Sequence, residues 1–86
     1  MLKNLYVGNF KFNTSEKELT ELFSKFGSVE HVRIIKDIKT GNPKGYAFVK
    51  MTAGARKAID ELDNKIYRGR TIRVKPAEED YIKKTE

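Results

Sequence analysis

Hydrophobic and polar residues alternate along four short stretches of the chain, which is the pattern of β-strands with one buried face. The four stretches cover residues 5–8, 29–36, 44–51 and 70–75. In the second stretch, Val32 and Ile34 are expected to point inward, while Arg33 and Ile35 point outward. Turn-forming glycine, asparagine and proline residues follow or separate several of these stretches. The pattern therefore predicts four strands joined into one sheet.

Two further stretches repeat apolar residues at the spacing of an amphipathic helix. The first begins with a capping box, in which the side chains of Ser15 and Glu18 each accept a hydrogen bond from the other residue's amide. We expect Gly27 to close this helix in the left-handed conformation. The inner stripe of the first helix is Leu19, Leu22, Phe23 and Phe26. The second helix is expected over residues 53–62, with an inner stripe of Ala55, Ala58, Ile59 and Leu62.

The order of these elements is βαββαβ, which predicts an α+β fold of the ferredoxin-like kind. In such a sandwich, a four-stranded antiparallel sheet carries both helices on one face. We expect residues 1–77 to form a single domain and residues 78–86 to form a polar tail. The second face of the sheet is then left open, and the residues on that face decide what the domain does.

The open face is expected to combine aromatic rings with positive charges. A buried face favours aromatics without charges, and an ordinary solvated face favours charges without aromatics. A surface that binds single-stranded nucleic acid needs both, because rings stack on bases and cations attract phosphates. The residues expected on this face are Tyr6, Arg33, Lys44, Tyr46, Phe48, Lys50, Arg73 and Lys75.

The composition supports a binding domain for a polyanion. The 86 residues include 18 basic and 12 acidic side chains, so the formal net charge is +6. Such an excess also occurs in proteins that use it for solubility alone, but here the charges are expected beside the aromatics. The chain has no cysteine, so thiolate chemistry and disulfides are excluded, and we expect no metal and no cofactor. No apolar run approaches the length of a membrane span, and the first residues do not resemble a signal peptide.

Two motifs in the chain resemble those of the RNA recognition motif (RRM) family. Residues Lys44–Met51 match seven of the eight places in the pattern K/R-G-F/Y-G/A-F-V-x-F/Y, and Met51 stands where an aromatic residue is usual. Residues Leu5–Phe10 are similar to the companion six-residue motif of the family. The resemblance extends over residues 4–77, and the compact form is similar to the small single-RRM proteins of bacteria.

The resemblance implies a role for the residues of the open face. It implies that Tyr6 and Phe48 each stack one base, that Tyr46 packs against the sugars between them, and that Lys44 pairs with a phosphate. Lys50, Arg33, Arg73 and Lys75 are further candidates for phosphate contacts, although charges on strands also serve to prevent aggregation. The partner is expected to be single-stranded RNA, with single-stranded DNA as a further candidate.

Two other functions are compatible with a βαββαβ domain. An RRM-like domain can bind a protein, but such domains usually lose the aromatics of the sheet, and this chain keeps all three. A small enzyme such as an acylphosphatase shares the element order, but the fold alone does not provide catalysis. The chain contains no glycine-rich phosphate loop, paired carboxylates or activated nucleophile. We therefore expect a binding protein and not an enzyme.

The remaining expectations concern the tail and the cellular setting. Tyr81 and Ile82 are apolar residues in an otherwise charged tail, which suggests that the tail lies over or beside the open face. The domain is expected to be a monomer. A bacterial cytoplasm fits the compact architecture best, and a nucleus or an organelle is the alternative.

Overall fold

The structure of the protein is a computed structural model that describes residues 3–77, apart from the side chains of Pro43 and Lys44. This part of the chain folds into two helices and an antiparallel sheet. The elements are β1 (Lys3–Gly8), α1 (Glu16–Ser24), β2 (Ser28–Lys36), β3 (Pro43–Ala53), α2 (Ala55–Leu62), β4 (Lys65–Tyr67) and β5 (Arg70–Pro76). The order of the strands across the sheet is β2-β3-β1-β5-β4. The predicted ferredoxin-like fold is confirmed, with one strand more than expected.

The additional strand, β4, forms a short hairpin with β5. The two residues between these strands, Arg68 and Gly69, have φ angles of 51° and 86°. Two consecutive left-handed residues are typical of the tight turn that suits the twist of a two-stranded ribbon. The strand is three residues long, and Ile66 at its centre remains 77% exposed. The alternation of buried and exposed residues is too short here to predict a strand from the sequence.

Both helices cover the same face of the sheet. Helix α1 packs on β2, and helix α2 packs on β5 and β1. The inward residues of the strands meet the apolar stripes of the helices in one core, and each large side chain buried there contributes about 1.5–3 kcal/mol. The largest fully buried side chains in this core are Phe23, Leu5, Leu19, Met51, Ile72, Val7, Val49 and Val74. Among the described elements, the other face of the sheet carries no helix.

Helix α1 begins at the capping box that the sequence predicts. The Ser15 amide donates to the Glu18 carboxylate at 2.9 Å, and the Glu18 amide donates to the Ser15 hydroxyl at 3.1 Å. The backbone hydrogen bond from Ser15 is the main cause that lowers the pKa of Glu18, and the nearby positive charge of Arg68 lowers it further. The carboxylate therefore stays ionised and accepts from the Ser15 amide, while the Ser15 hydroxyl accepts from the Glu18 amide, which the first turn would otherwise leave unpaired.

The prediction for Gly27 is wrong in its physical reason. Helix α1 ends at Ser24, and Gly27 does not have the left-handed backbone of a helix-closing glycine. Its role is to allow a close crossing, because a Cβ on Gly27 would lie 2.7 Å from the Cα of Gly54. A Cβ on Gly54 would in turn lie 2.7 Å from the Cα of Gly27, and Gly54 is left-handed at φ 82°. The segment after α1 and the start of α2 thus touch backbone to backbone.

Helix α2 begins later than the sequence predicts. Strand β3 continues to Ala53, and Gly54 turns the chain into a helix that starts at Ala55. The buried alanines Ala55 and Ala58 let the helix axis lie close to the sheet, as their small size suggests. The helix is followed by Asn64 in the left-handed conformation, with a φ angle of 66°. Only Asp63 and Asn64 separate the end of α2 from the start of β4.

Candidate nucleic-acid interface

Four of the expected site residues form a row across the middle of the open face. In the register of the sheet, Tyr6 on β1 lies opposite Lys75 on β5 and opposite Phe48 on β3. Phe48 lies opposite Arg33 on β2. Four strands thus place two aromatic rings at the centre of the row and one cation at each end. We call this set the central row.

The three aromatic residues form one cluster, since Tyr46 lies beside the central row. The rings of Tyr6 and Tyr46 are stacked, with centroids 5.9 Å apart and planes inclined by 25°. Phe48 meets both tyrosines edge to face, at centroid distances of 6.3 Å from Tyr6 and 6.0 Å from Tyr46. Offset and edge-to-face contacts of this kind hold aromatic side chains in defined orientations. The cluster is therefore a preformed surface and not a set of independent side chains.

Phe48 is less accessible than the alternation along β3 suggests. It lies on the expected face and outside the main core cluster, yet only 5% of its surface is exposed. Its neighbours include the rings of Tyr6 and Tyr46. The alternation of a strand identifies the face on which a side chain lies, but not what packs above it. Phe48 therefore contributes less accessible area to the open face than its position on the strand suggests.

Ile35 is buried outside the main core cluster, although the sequence suggests no role for it. It is expected to point outward, and it is indeed absent from the core cluster, but only 6% of its surface is exposed. The pairing between β2 and β3 is irregular between Ile34 and Lys36, so Ile35 lies at a bulge. Bulges redirect side chains and increase the local twist.

Lys75 is held beside the first aromatic ring. Its Nζ atom lies 5.9 Å from the centroid of the Tyr6 ring, within the range of a cation–π contact. A cation in this place can attract a phosphate while a base stacks on the neighbouring ring. Lys50 lies further along β3, opposite Asn4 and His31, and is partly buried. Both lysines are thus on the expected face and next to the cluster.

Arg73 is on the expected face but has an acidic partner. Its Nε donates to Oδ1 of Asp63 at 3.1 Å, and the same oxygen accepts from the Val74 amide at 2.8 Å. The Val74 amide is the main cause that lowers the pKa of Asp63, and the side chains of Arg73 and Lys75 lower it further. A phosphate would have to compete with Asp63 for Arg73. The two residues are ten positions apart in the chain, so the sequence does not reveal this pair.

Asn9 is a supporting residue that the sequence analysis does not assign. It follows β1 with a φ angle of 63°, a conformation that asparagine tolerates well. Its amide donates to the Gly45 carbonyl at 2.9 Å, and its Nδ2 donates to the Thr71 carbonyl at 2.8 Å. Its Oδ1 accepts from Arg70 at 2.7 Å. Asn9 thereby ties β1 to β3 and β5 at the end of the sheet where Tyr46 lies.

The remaining expected residue, Lys44, has its backbone in β3, whereas its side chain lies outside the described part of the structure. Its phosphate contact stays a prediction. Within residues 3–77, no group of three or more histidine or acidic side chains is arranged to hold a metal ion. No helix in the same range is long and apolar enough to cross a membrane.

Comparison with known proteins identifies relatives of the chain. The profile of the RNA recognition motif family matches residues 5–73. Human embryonic polyadenylate-binding protein 2 is 43% identical over 75 residues, which are 86% of this chain and 27% of that protein. The putative RNA-binding protein RbpA of Synechocystis is 38% identical over 76 residues, 86% of this chain and 75% of that protein.

A solved structure with the same fold includes RNA. The Sxl-lethal protein/RNA complex superposes with a TM-score of 0.81 at 35% sequence identity. The match covers 87% of this chain and 47% of that chain. The family profile spans β1 to β5 and includes both motifs on the central strands. The chain therefore belongs to the RNA recognition motif family.

Proposed function

We propose that the protein binds single-stranded RNA on the open face of its sheet. The observation that carries this proposal is the central row with Tyr46 beside it, where aromatic rings in mutual contact lie between cations. Rings of this kind stack on unpaired bases of any sequence, and the cations attract the phosphates between them. The family membership and the RNA in the related complex support the same function.

The residues divide between two tasks in this proposal. Tyr6 and Phe48 each stack one base, and Tyr46 packs against the sugars that connect them. Lys75 is the best-placed phosphate contact among the described residues, because it already lies beside Tyr6. Further phosphate contacts are proposed for Lys44, Lys50, Arg33 and Arg73.

The cellular setting is a further proposal. The similarity to RbpA of Synechocystis supports a bacterial protein, and since bacterial RNA is cytoplasmic, we propose that compartment. We also propose that the protein acts as a monomer, and that it acts by binding and not by catalysis. The single open face supports a monomer, because one chain supplies the complete aromatic cluster.

Selection from a random pool of single-stranded RNA tests the function directly. We expect binders with dissociation constants in the micromolar range, about −8 kcal/mol. Single-stranded DNA and duplex RNA of the same length serve as controls, and duplex RNA should bind worse because its bases cannot reach the rings. If no single-stranded RNA is retained while the chain captures a protein or hydrolyses an acyl phosphate, the proposal is wrong.

Salt dependence tests the phosphate contacts separately. Each phosphate neutralised on a single strand lowers log K by about 0.7 per unit of log salt concentration. Three or four contacts predict a slope of roughly −2 to −3. Lys44→Ala should make the slope less steep by about 0.7 without changing which sequence binds best. A slope near zero for the parent protein would remove the electrostatic part of the proposal.

A further inference from the structure

The ring of Tyr6 occupies the space above Gly8. These two residues are two places apart on β1 and therefore lie on the same face of the sheet. A Cβ atom built on Gly8 would lie 2.8 Å from both Cε1 and Cζ of Tyr6, and it would contact the Tyr6 hydroxyl more closely still. Carbon atoms pack at about 3.5–4.0 Å, so any other side chain at position 8 would displace the ring.

The backbone of β1 gives no reason for a glycine at this position. The left-handed glycines of the described chain are Gly41, Gly45, Gly54 and Gly69, and Gly8 is not among them. A glycine inside a strand weakens the strand, because it has no side chain to pack and loses more conformational freedom on folding. The space it leaves for Tyr6 is the feature that accounts for it.

The position of the Tyr6 ring sets the geometry of the aromatic cluster. Gly8 lies opposite Tyr46 in the register of the sheet. Tyr6 extends along its own strand towards that position and stacks on Tyr46 with planes inclined by 25°. The same placement brings the ring within 5.9 Å of the Lys75 ammonium group. If the ring were raised from the sheet, both contacts would change together.

We propose that Gly8 is a positioning residue, which lets the Tyr6 ring lie down against the sheet and so sets the plane on which a bound base stacks. This inference rests on the proposed function of the open face. It assigns Gly8 no contact with RNA, because its effect passes through the ring of Tyr6. A side chain at position 8 turns the tyrosine to another orientation and leaves the fold intact, since a ring at the surface can rotate where a backbone cannot.

The variant Gly8→Ala tests this inference with a fluorescein-labelled decauridylate as the probe. We expect the affinity to fall by about fivefold or more, because a stacked base is worth about that much or more. The melting temperature should stay the same or rise, because alanine is the better strand residue. In the Tyr6→Ala background, the same glycine replacement should leave the affinity unchanged, as a double-mutant cycle requires for a residue that acts through Tyr6.

The free protein provides a second test that does not depend on RNA. In Gly8→Ala, the NMR signals of the Tyr6 and Tyr46 rings should shift, while those of Phe23 in the core should not. The inference would be overturned if Gly8→Ala showed no such shift and bound RNA with the affinity of the parent. A fall in affinity that persists in the Tyr6→Ala background would also overturn it. If the parent does not bind RNA while the ring signals shift as expected, the proposed function fails and the positioning role remains.

Discussion

At the scale of single residues, side chains of the open face are engaged with one another within the protein. Lys75 lies beside Tyr6, Tyr6 stacks on Tyr46, and Arg73 pairs with Asp63. In the proposed mode of binding, RNA therefore exchanges existing contacts for new ones, and the net affinity is the difference. This accounts for an expected affinity in the micromolar range, in spite of several cations and rings on one small face.

The pair of Asp63 with Arg73 and the Val74 amide predicts a dependence of stability on pH. The folded protein lowers the pKa of Asp63 below its ordinary value of about 3.9. A lowered pKa means that the stabilisation is fully present above the unfolded pKa and is lost as the pH falls through the folded pKa. Asp63→Asn should therefore be less stable than the parent at neutral pH, and this difference should shrink below about pH 4.

Urea denaturation of both proteins between pH 3 and pH 7 measures that difference. Glu18 also has a lowered pKa, but it is present in both proteins, so its contribution cancels in the difference between their free energies of unfolding. A difference in the free energy of unfolding that stays constant over the whole range would show that the Asp63 carboxylate makes no charge-dependent contribution.

At the scale of elements, the sequence predicts the helices and strands that show a hydrophobic period or a capping motif. The alternation in β3 identifies a buried face and an open face, and the capping box marks the start of α1 correctly. Strand β4 could not be predicted in this way, because its three residues are too few to show an alternation. The role of Gly27 depends on Gly54, which is far along the chain, so the sequence alone cannot reveal it.

The same reasoning explains what the sequence predicts of the site. Tyr6, Tyr46 and Phe48 lie on the expected face and in mutual contact. The burial of Phe48 could not be predicted, because alternation indicates direction and not the packing above a side chain. The Asp63 partner of Arg73 could not be predicted either, since it depends on how the chain leaves α2.

The crossing of Gly27 and Gly54 leads to a prediction about stability. Gly27→Ala should destabilise the fold by about 1–3 kcal/mol, because the new methyl group meets backbone atoms that cannot rotate away. Phe23→Ala leaves a cavity in the core and should lower the free energy of unfolding by about 3–5 kcal/mol. It serves as the reference for a large loss of stability. Urea denaturation measures both. An unchanged midpoint for Gly27→Ala would show that the two segments can separate without cost.

At the scale of the whole molecule, charge and aromatic character are distributed unevenly along the chain. The formal net charge is +6, and basic residues surround the aromatic cluster. The sequence Glu78-Glu79-Asp80 is acidic by contrast, and Tyr81 and Ile82 follow it. Residues 78–86 lie outside the described residues. The last described residue, Ala77, donates its amide to the Asn4 carbonyl at 2.8 Å, which ties this part of the chain to β1.

We propose from the sequence that this tail acts on the open face, either by shielding it or by adding a stacking contact. Deletion of residues 78–86 should then change the affinity for single-stranded RNA by at least several fold, in one direction or the other. Fluorescence anisotropy measures the affinity, and the melting temperature controls for folding. Equal affinity at equal stability would show that the tail has no part in binding.

The most direct test of the central claim is the affinity of the variant with both Tyr6→Ala and Phe48→Ala. Each stacked base is worth about 1–3 kcal/mol, so the double replacement should weaken RNA binding by about 2–6 kcal/mol. Phe12→Ala is the matched control, because Phe12 is an aromatic residue that is 72% exposed and lies outside the aromatic cluster.

Since Phe48 is buried, circular dichroism at the binding temperature must show that the double variant is folded. The account predicts a folded double variant that has lost RNA binding, beside a Phe12→Ala control that binds like the parent. A folded double variant with parental affinity would contradict it.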